Sequence, residues 1–334
     1  MRTERRNGSR PKVVVLRALK LGDLLIAVPA LRALRRAFPD HWIQLATSGW
    51  LAPVVALAEA VDQVLPTRGL APLGPAAQRP AVAVNLHGAG PRSTEVLAAL
   101  RPRRRIGHRA AGWDGPEWED DLHERVRWCR LLQTYGIPAD PADLGIRRLE
   151  VANPVPGATV VHPGAAHGSR RWPVDRCAAV ARRLAARGHH VVVTGAESEA
   201  GLAGQLARQA GLPADRVLAG RTGLAELAAV VAGARLVVSA DTGVAHLSYA
   251  YRTPSVVLFG PVPARSWGPP EAGPHVALSD DRARRGDPFA ADPDPALLGV
   301  GVNDVLAAVD RLSTFRSQSP GGHYQLDVTK IPPL

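Results

Sequence analysis

Asp241-Thr242-Gly243-Val244-Ala245-His246 follows the apolar run Leu236-Val237-Val238-Ser239, and Lys20-Leu21-Gly22-Asp23 follows Val13-Val14-Val15-Leu16. A buried strand that passes through a glycine-containing turn into a helix is how α/β domains build sites at the carboxyl ends of their strands. Two such units, one in each half of the chain, predict two domains facing each other across a cleft. One domain would hold a phosphorylated ligand and the other would supply an acid or base.

Outward from these two motifs, strand-like and helix-like runs alternate with short links. In the first half, strands are expected at 12–16, 42–46, 61–65, 81–86 and 105–107. Helices are expected at 24–37, where Pro29 interrupts or restarts the run, and at 49–60, 93–100 and 123–135. The stretch 136–158 carries Pro138, Pro141, Pro154 and Pro156 and no long periodic run, which marks a domain boundary. The second half restarts the rhythm, with strands at 158–162, 190–194, 235–239 and 255–259. Its helices are expected at 174–187, 200–210, 223–232, 244–251 and 302–312. The resulting division is a basic tail over 1–11, an α/β domain over 12–150, a second over 151–312 and a polar tail over 313–334, with right-handed crossovers throughout.

A chain of 334 residues that is 46% hydrophobic has enough apolar material for two cores, which excludes a disordered protein. The formal charge of +11 is spread in small clusters such as Arg101, Arg103, Arg104 and Arg105. It reflects either solvated faces or attraction to an anionic substrate or membrane surface. With four Tyr and four Phe, the chain lacks the aromatic platforms that single-stranded nucleic acid needs, so no nucleic-acid partner is expected. Cys129 and Cys177 both sit in helix-like patterns and read as buried thiols. The apolar run after the basic start is broken by Arg17, Lys20 and Asp23. It is too short for a membrane span and unlike a signal peptide, so the expected location is cytoplasmic, with a peripheral contact at the inner membrane face left open.

Several side chains stand at the expected strand ends. Asp23 is either a helix N-cap or a general base. Gly22 permits a tight turn, and Arg17 and Lys20 either hold phosphate or are solvated. His87 closes another strand. In the second half, His162-Pro163-Gly164 ends a strand, and His162 reads as structural or site-lining. Arg170 and Arg171 precede the next helix and can fork onto a diphosphate, with Trp172-Pro173 fixing their loop. Glu197 or Glu199 can accept ribose hydroxyls, or cap a helix. The amino end of the helix after Thr242 offers free N–H groups to phosphate, with Gly243 allowing close approach. Asp241, being anionic, orders the loop or binds sugar hydroxyls. His246 faces either the core or the site. No metal-ligand spacing is present, so a diphosphate leaving group would be met by Arg, Lys and helix ends, with no cofactor.

Three segments together resemble glycosyltransferase family 9, the ADP-heptose–lipopolysaccharide heptosyltransferases. They are Leu16-Arg17-Ala18-Leu19-Lys20-Leu21-Gly22-Asp23 with Pro29-Ala30-Leu31; His162-Pro163-Gly164 with Arg171-Trp172-Pro173; and Ser239-Ala240-Asp241-Thr242-Gly243-Val244-Ala245-His246 with Phe259-Gly260-Pro261. The resemblance runs from about Lys12 to Leu312. It implies a GT-B architecture of two Rossmann-like domains with an inter-domain cleft, the first binding the acceptor and the second a nucleotide-sugar. It implies inverting transfer of heptose, or a similar sugar, from an ADP-activated donor, with Asp23 as general base. It assigns Arg171, where the family commonly has lysine, to the donor phosphates. Glu199, Asp241, Thr242, Gly243 and His246 are assigned to the donor as well. Ala27 stands where the family often has threonine, and the region from Gly88 to Trp118 carries no motif for a lipid-linked acceptor. The expected partners are therefore the donor and a glycan, glycolipid or small-molecule acceptor, bound by a monomer. The competing readings are a related transferase with a hexose donor and a non-catalytic nucleotide- or glycan-binding protein.

Overall fold

The computed structural model describes residues 10–318. The chain divides into two compact units, Met1–Arg147 and Arg148–Leu334, and the division falls inside the proline-rich stretch. Most of the expected basic tail, residues 1–9, lies outside the described residues. Arg10 is tied down, donating to the carbonyls of Pro39, Asp40 and His41.

The first unit is built on β1 (Lys12–Leu16), β2 (Trp42–Thr47), β3 (Gln63–Pro66), β4 (Val82–Asn85) and β5 (Arg104–Ile106). They form a wholly parallel sheet in the order β3-β2-β1-β4-β5. Val13 to Leu16 have no exposed surface, as expected for a central parallel strand covered on both faces. From β1 the chain first builds one flank and then returns to build the other, so the order reverses between β1 and β4. In open α/β sheets, ligands settle outside the carboxyl ends of the strands at such a switch point.

The helix expected over 24–37 is two helices, α1 (Leu21–Ile26) and α2 (Val28–Ala37). Pro29 stands in the first turn of α2, where its missing N–H costs no helical hydrogen bond. The unit is completed by α3 (Ala52–Leu57), α4 (Arg92–Ala98) and α5 (Glu124–Thr134).

The second unit carries β6 (Thr159–His162), β7 (Val191–Val193), β8 (Leu236–Ala240), β9 (Ser255–Leu258) and β10 (His275–Leu278). Its parallel sheet has the order β10-β9-β8-β6-β7. Counted from its own first strand this is 2-1-3-4-5, the other common doubly wound order, with its switch point between β6 and β8. The helices are α6 (Val174–Ala186), α7 (Ala200–Ala210), α8 (Leu224–Ala232), α9 (Gly243–Tyr251), α10 (Ala264–Trp267), α11 (Pro295–Leu298) and α12 (Val302–Gln318). Each unit is thus Rossmann-like, the pair of folds that defines the GT-B class.

β10, α10 and α11 were not expected from the sequence. They are four-residue elements in a segment punctuated by Gly and Pro, and β10 is a half-exposed edge strand without a clean apolar face. α12 runs on to Gln318, so the polar tail expected from Ser313 begins as helix; residues 319–334 lie outside the described residues.

Cys129 and Cys177 are both free and buried, and burial pushes each thiol up to about 12. Among the described residues, no helix is long and apolar enough to cross a membrane.

Candidate functional site

The two motifs that open the sequence stand at the two switch points. In the first unit, β1 runs into Arg17 and then α1. Asp23 is not the N-cap of α1: Lys20 holds that place, and Asp23 is the third helical residue. Its Oδ2 accepts the Lys20 N–H at 3.2 Å, the reach-back half of a capping box. Its Oδ1 meets the Arg17 guanidinium at 3.4 Å, and its side chain keeps 24% of its surface exposed. The carboxylate is therefore held on both oxygens and still reachable by solvent.

Arg17 departs from the phosphate-binding expectation. Only 1% of its side chain is exposed. Its Nε donates to the Asp23 carbonyl at 2.9 Å and one terminal nitrogen to the Leu86 carbonyl at 2.5 Å. Both terminal nitrogens also meet Glu124 Oε1 at 3.4 Å. A guanidinium so fully used has no donor left for an incoming phosphate. Lys20 is exposed and has no ion pair among the described residues, so it is the free cation on this side. Gly22 occupies the turn of α1 beside it.

His87 arrives from the end of β4. Its Nδ1 accepts the Ala18 N–H at 3.2 Å, which places the ring proton on Nε2. Burial, and after it the charge of Arg17, lower its pKa, while Asp23 acts in the opposite sense. Buried Asn85 shapes this loop, accepting the His87 N–H and donating to the Gly88 carbonyl and Ser93 Oγ. Neither Asn85 nor Glu124 was identified from sequence. Glu124 lies far along the chain, and its one local signal is Trp128, four residues on and therefore on the same face of α5.

In the second unit, Asp241 follows directly on β8, and its side chain is 6% exposed. Arg170 meets one of its oxygens at 3.1 Å and His246 Nε2 stands 3.5 Å from the other. Arg170, Asp241 and His246 are thus one cluster, and Asp241 orders the loop. The His246 ring packs edge-on against Tyr249 and Trp267.

Thr242 caps α9 through backbone geometry alone. Its hydroxyl is buried and makes no hydrogen bond among the described residues. The first helical N–H to find an acceptor in the turn is that of His246, on the Thr242 carbonyl. The N–H groups of Gly243, Val244 and Ala245 precede it and have no partner inside the helix. An unused hydroxyl beside unused N–H groups suits an anion.

The loop before α6 is clipped in place. Trp172 Nε1 donates to the Val300 carbonyl at 3.1 Å, and Ser169 Oγ to the Pro288 carbonyl at 3.0 Å. This fixes the loop, as the Trp172-Pro173 pair suggests. Arg171 donates Nε to the Ala165 carbonyl at 3.1 Å, is exposed, and has no ion pair among the described residues. Of the two arginines, Arg170 is committed to Asp241 and Arg171 is the open one.

Of Glu197 and Glu199, Glu199 takes the helix-capping role that the sequence left open. Its Oε2 accepts the Ala196 N–H at 2.8 Å, and its carboxylate lies where a Cβ on Gly164 would stand. Glu197 is exposed. His162, bonded through Nδ1 to Thr194 Oγ1 at 3.0 Å, has its pKa lowered by burial, while the charge of Glu199 opposes that shift.

The model of glycosyltransferase family 9 (heptosyltransferase) matches residues 141–284, which contain the whole second switch point and not Asp23. Lipopolysaccharide heptosyltransferase 1 of Pseudomonas aeruginosa is 38% identical over 149 residues, 43% of this chain and 41% of that protein. The match therefore spans less than half the length of that relative. A family 9 glycosyl transferase from Veillonella parvula superposes with a TM-score of 0.75 at 18% identity, covering 91% of this chain and 97% of its own. The Escherichia coli heptosyltransferase WaaC, solved with ADP-2-deoxy-2-fluoro heptose, gives 0.68 at 19% identity, covering 90% and 99%. The last two likenesses bear on the fold, and the family model makes residues 141–284, the second unit's sheet included, similar to glycosyltransferase family 9 (heptosyltransferase).

Proposed function

We propose that this protein is an inverting glycosyltransferase that moves a heptose, or a closely similar sugar, from an ADP-activated donor to an acceptor hydroxyl. The observation that carries the reading is the second switch point, where the buried Thr242 hydroxyl and the unpaired start of α9 lie beside an Asp241 locked by Arg170 and His246. The similarity to heptosyltransferases, one of them solved with an ADP-heptose analogue, supports the choice of donor.

In this reading the α9 amino end, Thr242 and Arg171 receive the pyrophosphate, and Glu199 receives donor hydroxyls. Asp23 accepts the proton of the acceptor hydroxyl. The acceptor oxygen forms its bond to the anomeric carbon while the bond from that carbon to the pyrophosphate oxygen breaks, and ADP departs with the electron pair. Positive charge and N–H donors aimed at the leaving oxygens stabilise that departure, and no metal or cofactor is assigned a part. Lys20, exposed three residues before the base, and the Nε2–H of His87, whose ring feels the charge of Asp23, bind the acceptor. The acceptor is a glycan, glycolipid or small molecule, and the protein acts as a monomer.

Calorimetric titration with ADP, GDP and UDP tests the donor assignment. Tight binding of ADP with weak binding of UDP is expected. Absence of all nucleotide binding would refute the reading.

A further inference from the structure

The first switch point contains a charge cluster that the proposed chemistry has not used. Glu124 is the first residue of α5, whose start is fixed by His123, the N-cap that accepts the Arg125 N–H at Nδ1. Glu124 Oε1 accepts the Trp128 Nε1–H at 3.0 Å and meets both terminal nitrogens of Arg17 at 3.4 Å. Its Oε2 accepts Arg127 Nε at 3.0 Å. The Arg17 guanidinium lies over the Trp128 ring at 4.9 Å, and that of Arg127 over Trp118 at 4.0 Å. Two carboxylates, Asp23 and Glu124, thus balance two arginines, Arg17 and Arg127, around the buried Trp128 ring and the half-buried Trp118 ring.

Arg17 stands in the middle. It touches Asp23 and Glu124 at the same 3.4 Å. A buried cation between two anions takes the position their joint pull sets. If the charge of Glu124 is removed, Asp23 becomes the only carboxylate in contact with Arg17 among the described residues. The Asp23 carboxylate is then drawn inward, away from the exposed edge where an acceptor hydroxyl can reach it.

We propose that Glu124 is a positioning residue for Asp23. It acts through Arg17 and is itself aimed by the Trp128 indole. This rests on the reading of Asp23 as the general base.

The test is a double-mutant cycle on the full chain, with transfer turnover and ADP affinity measured for Glu124→Gln, Asp23→Asn and the pair. Glutamine keeps the size and an acceptor oxygen, so the helix start survives. Glu124→Gln should lower kcat roughly 10- to 100-fold, the scale of a misplaced reacting group, with the Kd for ADP unchanged. In the Asp23→Asn background it should cost nothing further, because the group it positions is gone. Trp128→Phe, which keeps the ring under Arg17 and removes the indole donor, should give a smaller loss with the same pattern.

Turnover of Glu124→Gln within twofold of the parent would overturn the proposal. So would an equal loss in both backgrounds, which is the mark of a merely structural role. Wild-type turnover in Asp23→Asn alone would instead overturn the general-base reading, and this proposal with it. The single variants therefore separate the two failures.

Discussion

The two switch points are built from the same strand-turn-helix plan and have opposite electrostatic character. At the first, nearly every polar group is used: Arg17 is fully committed, Asp23 is held on both oxygens, and Glu124 is shared between two arginines. At the second, the acids and bases inside the loop are paired, while among the described residues the buried Thr242 hydroxyl and the first N–H groups of α9 have no partner and Arg171 has no ion pair. The first arrangement fixes one carboxylate. The second has vacant donors that an anion can complete. A strand-turn-helix site is therefore defined less by its backbone plan than by which of its donors the fold leaves unsatisfied.

The largest test of this contrast is Asp23→Asn. It should cut transfer about 100- to 10,000-fold, the range for loss of a general base, while leaving the Kd for ADP unchanged in calorimetry. Weakened ADP binding in that variant would erase the division of labour. Thr242→Val acts on the other side. Losing a hydrogen bond to a charged group costs about 1.5 kcal/mol or more, so ADP should bind roughly tenfold more weakly.

Gly164→Ala places a methyl group where the Glu199 carboxylate lies. ADP affinity should fall by several-fold, and that loss should disappear in a Glu199→Ala background where the space is free.

A smaller effect is on stability. Burial lowers the pKa of His87, His108, His162 and His189 below the ordinary 6.5. Below 6.5 the unfolded chain binds protons that the folded chain resists. The stability these rings contribute is complete above that value and is lost as pH falls through their lowered folded values. Tm should therefore drop between about pH 7.5 and about pH 5 in thermal unfolding. The smallest effect concerns the thiols: Cys129 and Cys177, buried and pushed up to about 12, should stay unmodified by a thiol reagent in the native protein and react on unfolding.

What could be read in advance was local. Val13 to Leu16 and Leu236 to Ser239 are continuous apolar runs, and each sits next to its own turn residues, so both strand-turn-helix units were legible. Pro29 announced the break between α1 and α2. Short pieces such as β10 and α11 were not legible, because four residues carry no period and their neighbours are Gly and Pro. The site divided in the same way. Asp241, Thr242 and His246 share one short segment and were found together. Arg17 was visible as a basic residue, and its commitment was not, since its counter-charge Glu124 lies 107 residues away. Arg170 and Arg171 looked equivalent as neighbours. Only the long-range contact of Arg170 with Asp241 tells them apart.

The clip between Trp172 and the Val300 carbonyl bears on chain synthesis. Arg17, Asp23, His87, Glu124 and Trp128 have all been translated before the first residue of the second sheet is made, so the first site can form while the ribosome is still at work. The loop that carries Arg171 must wait until Val300 has left the exit tunnel. A growing polypeptide therefore has its Asp23 carboxylate in place well before the Arg171 loop is fastened, and a message truncated just short of that codon would yield a protein whose Trp172 indole lacks its acceptor.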